Sequence, residues 1–119
     1  IGNKVYTTIS PTDACIKVLE INAHAGANYA HLKYICPNIS YIGIEGNTHY
    51  SNVDIKEAHI KYMNYLDFNY SDYNEYFDYI IFNNISDYSD NTKNEFLNLA
   101  GTSLKKNGIL LWCDNNTLN

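Results

Sequence analysis

The strongest constraint on the fold is one short stretch, Tyr76-Phe-Asp-Tyr-Ile-Ile-Phe82, because a near-continuous apolar run of this length suits a strand covered on both faces. A strand of that kind is expected near the middle of a sheet. Three more short apolar runs share the character: Lys17 to Ile21, Ser40 to Glu45 and Ile109 to Cys113. Between them the apolar residues fall at helical intervals. Leu32 and Ile35 share one face of a helix from Ala27 or Asn28 to Ile35, which Pro37 stops. Ser51 and Asp54 have the spacing of a helix start, continued by Ile55, Ala58, His59 and Tyr62. Ser89-Asp90 caps a helix that turns Phe96, Leu97, Ala100 and Leu104 inward and ends at Lys105-Lys106, after which Asn107-Gly108 turns the chain. Tyr62 to Leu66 is a weak strand candidate, and 67–75 has the polarity of a loop. Strands alternating with helices imply an α/β fold: a Rossmann-like three-layer sandwich of about five mainly parallel strands with helices on both faces, joined by right-handed crossovers.

At 119 residues the chain has the length of one domain, 1–119, with no linker or internal repeat. No apolar run approaches the roughly 18 residues of a membrane span, so a membrane partner is not expected. A net charge of −5 disfavours a nucleic-acid partner, which is usually met by a Lys/Arg-rich face. The chain contains no Arg and no Gln, while Ile, Asn, Tyr and Lys supply 52 of its residues. That bias matches AT-rich coding, so Asn and Tyr clusters carry little weight, and the sequons at Asn38, Asn69, Asn84 and Asn115 are expected by chance. The Tyr-rich stretch 65–77 is accordingly taken as solvent cover before a stacking surface. Cys15, Cys36 and Cys113 are odd in number and widely spaced, as in a protein with buried reduced thiols, and a cytoplasmic location is expected. His24, His31, His49 and His59 fall in no metal-ligand pattern, so no metal is expected. The N-terminus has no secretory-signal pattern, and Ile1 in place of Met suits a piece of a larger protein.

In an open parallel sheet, ligands bind beyond the carboxyl ends of the strands, where the strand order reverses. The loop from Glu20 to Gly26 leaves the first strand for a helix and is the first candidate, since helix-initiating amides can hold a nucleotide-like or carboxylate ligand. Glu45 ends the second strand at the distance where an acid meets the hydroxyls of a ribose; solvation of an exposed strand end explains the spacing equally well. A Gly-x-Gly-x-x-Gly fingerprint would need glycine at 22, 24 and 27, where Asn22, His24 and Ala27 stand. No Gly-Lys-Ser/Thr phosphate loop occurs either.

The string Val18-Leu-Glu-Ile-Asn-Ala-His-Ala-Gly-Ala-Asn28 resembles the first motif of class I S-adenosylmethionine-dependent methyltransferases, commonly Val-Leu-Glu-Ile-Gly-Cys-Gly-x-Gly-x-Asn. Tyr41 to Glu45 resembles the second-strand motif of that family and Tyr65-Leu-Asp-Phe68 the exit of its third strand. Phe77 to Phe82 resembles the fourth strand, and Leu104 to Leu111 the turn into the fifth. Five motifs in family order are more specific than any one. The resemblance implies S-adenosylmethionine as cofactor: Glu20 would shape its loop, Gly26 would approach the methionine part, Glu45 would hold the ribose and Asp67 would face the adenine. Asn83 and Asn84 would line the pocket near the reactive methyl group. Asn22 and His24 stand where the family has glycine, and each adds a side chain to the cofactor loop. Asn84 and Asp87-Tyr88 replace the Asp and Glu-His of the nearest family members, leaving no obvious general base.

Two readings therefore stand side by side. One is a methyltransferase domain acting on an unidentified small molecule, sugar or polypeptide. The other is a degenerate member with a binding or scaffold role and no catalysis. A flavodoxin-like module is a third, resting on topology alone. The family fold carries a sixth and an antiparallel seventh strand beyond the fifth, which a partner domain or further C-terminal sequence would supply.

Overall fold

The computed structural model describes residues 16–114; Cys15 and the Asn115 sequon lie outside them. Five strands form one sheet: β1 (Lys17–Ile21), β2 (Ser40–Glu45), β3 (Lys61–Tyr62), β4 (Phe77–Phe82) and β5 (Leu104–Trp112). Their order is β3-β2-β1-β4-β5 and every pairing is parallel. β1 takes the centre, with the most apolar strand, β4, beside it.

The register divides the side chains between two faces. Leu19 lies beside Ile42 and Ile80, and Ile21 beside Ile44 and Phe82. These residues meet α2 (Asp90–Ala100), whose Phe96 and Ala100 complete the core. On the opposite face, Val18 and Glu20 lie beside Tyr41 and Gly43, under α1 (Ala27–Ile35). There Tyr29 of α1 packs on Tyr41 with ring centroids 5.1 Å apart. Helices therefore cover both faces, as right-handed crossovers running in opposite directions from β1 and β4 require. The result is a Rossmann-like α/β sandwich.

Several local expectations are corrected. The helix expected from Ser51 is replaced by two 3-10 turns, Thr48–Asn52 and Lys56–Ala58. Ser51 Oγ donates to Thr48 O rather than capping a helix, and the Ile55 N–H leaves for Ala25 O, at 2.8 Å. Lys56 and Tyr62 both engage the Asp54 carboxylate, and His59 turns left-handed at φ 52°. With those groups committed elsewhere, no helical ladder runs through the segment. The weak strand candidate at 62–66 shrinks to the two residues of β3, and Tyr65–Asp67 is a 3-10 turn.

The stretch 67–75 is not a solvent loop. Phe68 and Tyr70 are buried, and stacked or edge-on rings link Phe68 to Tyr73 and Tyr73 to Phe77. Its polar residues alternate with rings that roof the core over β4 and α2. Ser103 Oγ donates to Tyr70 O at 2.7 Å, and Glu75 and Tyr76 donate their N–H groups to Thr102 and Ser103. These bonds stop α2 at Ala100 and draw Leu104 into the sheet opposite Phe77. Leu104, Lys105 and Lys106 thus belong to β5 rather than to a helix end, and Lys105 pairs with Asp78 at 3.1 Å.

Asn107-Gly108 is not a free turn but part of an irregular stretch of β5. The register passes from Phe77↔Leu104 to Tyr79↔Ile109, so β5 accommodates extra residues there. A β-carbon at Gly108 would lie 2.8 Å from Leu104 Cγ and 3.0 Å from Phe77 O. Only glycine lets the backbone come so close.

The two faces of α2 differ enough to test. Phe96 is fully buried, within 4.8 Å of Phe82 and 6.1 Å of Trp112 by ring centroids, whereas Leu97 is 43% exposed. Phe96→Ala is expected to lower stability by about 3–5 kcal/mol. Leu97→Ala should change it by under about 1 kcal/mol. Urea unfolding of both variants checks the contrast, and equal losses would contradict this orientation of the helix.

Candidate functional site

The loop between β1 and α1 departs from ordinary backbone at three positions, with φ of 59° at Asn22, 54° at His24 and 91° at Gly26. Left-handed conformations are several-fold enriched for Asn and His among non-glycine residues. Asn22 and His24 can therefore follow a glycine-type path while adding side chains to it. At Gly26 a β-carbon would stand 3.3 Å from Ala58 Cβ, where the 3-10 segment after β2 packs onto the loop.

Two buried carboxylates brace this loop. Glu20 is 0% exposed; its Oε1 accepts the Tyr41 hydroxyl at 2.5 Å, and its Oε2 accepts the Asn28 and Asn83 amides, each at 2.6 Å. Burial, followed by the charge and hydrogen bond of Glu20, raises the Tyr41 phenol well above its ordinary value. Glu45 is 5% exposed, and its two oxygens accept the N–H groups of His24 and Asn47, both at 2.8 Å. It is therefore no exposed strand end: it joins the loop after β1 to the turn after β2. Each of its oxygens keeps a second acceptor site.

Beyond β4 the chain is joined to the same loop. Asn83, 3% exposed, donates its amide to Asn22 O at 3.2 Å as well as to Glu20. Asn22 donates to Asn83 O at 2.9 Å and to the Tyr88 hydroxyl at 3.1 Å. Asn84, at φ 60°, has its amide nitrogen 3.1 Å from His24 Nε2. The His24 ring also stacks on Tyr50, with centroids 5.0 Å apart and planes 15° apart.

Beside these contacts a cavity of about 240 Å³ opens between Asn22, the end of β2 at Ile44 and Gly46, the segment Met63 to Tyr65 after β3, and Tyr88. Of the residues singled out in the sequence, hydrogen bonds join Glu20, Asn22 and Asn83 in one group and His24, Glu45 and Asn84 in another. Gly26 lies in the same loop. Of all these residues Asn22 alone lines the cavity; Asp67 stands apart from the rest, being exposed and at the end of a 3-10 turn. Met63, Asn64, Tyr65 and Tyr88 were not anticipated as lining residues. Tyr65 stands in the stretch that resembles the third-strand exit and Tyr88 in the place of the family's Glu-His, while Met63 and Asn64 carry no signal beyond their place after a strand end. Asn64 Oδ1 accepts the Leu66 N–H and fixes the turn that places Tyr65.

Among the described residues, no three His, Cys, Asp or Glu side chains gather in a form able to hold a metal ion. Cys36 and Cys113 are half-buried free thiols; burial and then Glu20 push the Cys113 thiol up. No described helix is long and apolar enough to cross a membrane.

No family model matches the chain, and no curated protein matches it. Solved structures do. PKMT2 from Rickettsia typhi, also solved in complex with AdoHcy, is similar at TM-score 0.66 and 23% identity, over 80% of this chain and 20% of that one. A candidate S-adenosyl-L-methionine-dependent methyltransferase from Methanococcus maripaludis is similar at TM-score 0.67 and 12% identity, over 95% of this chain and 53% of that one. A SAM-dependent methyltransferase from Archaeoglobus fulgidus is similar at TM-score 0.67 and 16% identity, over 92% and 49%. The chain thus has the class I methyltransferase fold, and it spans between a fifth and about half of the length of these structures.

The Glu20 cluster has two expected consequences. Glu20→Gln places a donor where only acceptors are wanted, and about 1–3 kcal/mol should be lost for each buried donor left unpaired, measured by denaturant unfolding. The raised Tyr41 phenol binds its proton more tightly in the folded state, so its contribution is complete below about pH 10 and declines as pH rises further. Tyr41→Phe should therefore flatten the loss of stability above pH 10. An unchanged slope would remove Tyr41 as its source.

Proposed function

We propose that the chain is the S-adenosyl-ligand-binding domain of a methyltransferase, with the ligand at the carboxyl ends of β1, β2 and β3. The observation that carries this reading is the loop after β1, whose backbone has positive φ at 22, 24 and 26, the three positions at which the methyltransferase motif has glycine. A backbone that keeps an unusual path through two substitutions is under a constraint that propensity alone does not supply.

In this reading the adenosyl portion occupies the cavity beside Ile44, Asn64 and Tyr65. Glu45, whose chain neighbours Ile44 and Gly46 line the cavity, would meet the ribose and offer its remaining acceptor sites to the two hydroxyls. Gly26 keeps the loop close-packed. Asn83 and Asn84 lie at the end where a methyl group would be presented. Asp67 would reach an adenine amino group only from the cavity rim. The methyl acceptor is an unidentified small molecule or polypeptide, and the bound cofactor would supply the transferable methyl group.

A second reading has its own observation. The side chains of Asn22 and His24 are engaged with Asn83, Tyr88 and Asn84, as in a module that keeps the fold and binds without transferring a methyl group.

Calorimetric titration with S-adenosylmethionine and S-adenosylhomocysteine tests the reading, supported by thermal melts. Ligand at a hundredfold over its dissociation constant should add about 2.7 kcal/mol of stability. Glu45→Ala should then weaken binding by about 1.5–3 kcal/mol, the range for a hydrogen bond to a charged group. Flat titrations of the intact chain with both ligands would sink the methyltransferase role, and a flat titration with adenosine as well would sink the adenosyl site.

A further inference from the structure

We infer that the site draws its affinity from the nucleoside part of its ligand and gains none from an amino-acid tail, because the crevice next to the nucleoside cavity is closed by side-chain hydrogen bonds. The inference rests on the proposed adenosyl site and specifies the part of the ligand that the site accepts.

The strand order supplies the starting point. From β1 the chain crosses to β2 on one side, while β4 and β5 extend on the other, so the order reverses between β1 and β4. A ligand crevice is expected beyond the carboxyl ends of those two strands. Here that position is filled. The Asn83 N–H continues the β1–β4 ladder to Ile21 O at 3.2 Å, and the side chains of Asn22 and Asn83 then bond reciprocally to each other's carbonyls. The His24 and Asn84 side chains form a further contact across the gap at 3.1 Å, and Tyr50 covers the His24 ring.

The open space lies one strand away, over β2 and β3. Its 240 Å³ is below the roughly 300–1,000 Å³ of pockets that enclose drug-sized ligands. Tyr65 and Tyr88 offer it ring surface, Asn64 a carboxamide, and Ile44 and Met63 an apolar floor. These are features suited to a flat heterocycle with a polar edge. Asn22 is the wall between cavity and crevice, since it lines the one and bridges the other. A ligand confined to the cavity disturbs none of these bonds. A zwitterionic tail directed past Asn22 must break them, and the amides it displaces lose their partners.

Binding of adenosine and of S-adenosylhomocysteine to the intact chain, measured by calorimetry, tests this directly. Adenosine is expected to bind at least as tightly as S-adenosylhomocysteine. Asn22→Gly suits the positive φ at 22 and removes the wall; it should raise the affinity for S-adenosylhomocysteine about tenfold relative to that for adenosine, as two hydrogen bonds no longer need breaking. Asn84→Gly, which removes the second contact at another positive-φ position, should act in the same direction and serves if the first variant does not fold. Because the readout is the ratio of two affinities in one protein, general damage to the fold does not imitate it. S-adenosylhomocysteine binding the unaltered chain tenfold or more tighter than adenosine would overturn the inference and leave the adenosyl site standing. The same holds if both glycine variants leave the ratio unchanged. No binding of either ligand would overturn the adenosyl site itself.

Discussion

A carboxylate at the centre of a parallel sheet is costly unless both of its oxygens find donors. Glu20 meets that condition with donors from three different parts of the chain: Asn28 at the start of α1, Tyr41 in β2 and Asn83 just beyond β4. Each donor fixes one neighbour of β1. Tyr41 secures the β1–β2 side, Asn83 the β1–β4 side, and Asn28 the first turn of the helix that leaves the loop. Removing the carboxylate would strand all three, so the geometry at the carboxyl ends of the sheet is set from beneath by this residue.

The loop above depends on that base. Glu20 holds both ends of it, through Asn28 and Asn83, and Glu45 holds its middle through the His24 N–H. Between these fixed points the backbone must reverse within a few residues, which accounts for its three left-handed positions. The turn after β2 is then drawn against the loop, with Ile55 bonded to Ala25 O and Ala58 in contact distance of Gly26. That commitment helps explain why no regular helix follows β2. The crossover is made by short 3-10 turns that follow the loop's contour.

Strands whose apolar runs are unbroken were legible from sequence: β1 and β2 have the expected limits, and β4 starts one residue later, at Phe77. Pattern failed where a distant contact overrode local preference. Ser51, Asp54 and His59 have acceptable helical spacing, yet Tyr62 and Ala25 claim the groups a helix would need. The aromatic roof at 68–77 was hidden for a different reason. Coding bias makes its Tyr residues uninformative in the sequence, although Tyr70 is buried and its hydroxyl donates to Tyr65 O at 2.7 Å. Around the site, the two glutamates and the loop stood out by their place at strand ends. Tyr88 and Asn64 did not, because only the fold brings residues after β3 and β4 to the same cavity.

Asn22 and His24 separate two properties that glycine would join. A glycine loop gives a left-handed backbone and an empty space above it, both from the missing side chain. Asn and His can reproduce the first without the second. Similarity of backbone to structures of low sequence identity needs only the first property at this loop, since a TM-score reflects the chain path and not the volume above it. Ligand capacity follows from the second, and here the side chains turn what would be free space into hydrogen bonds between β1 and β4. The path of the loop and the space above it are thus decided by different atoms of the same two residues.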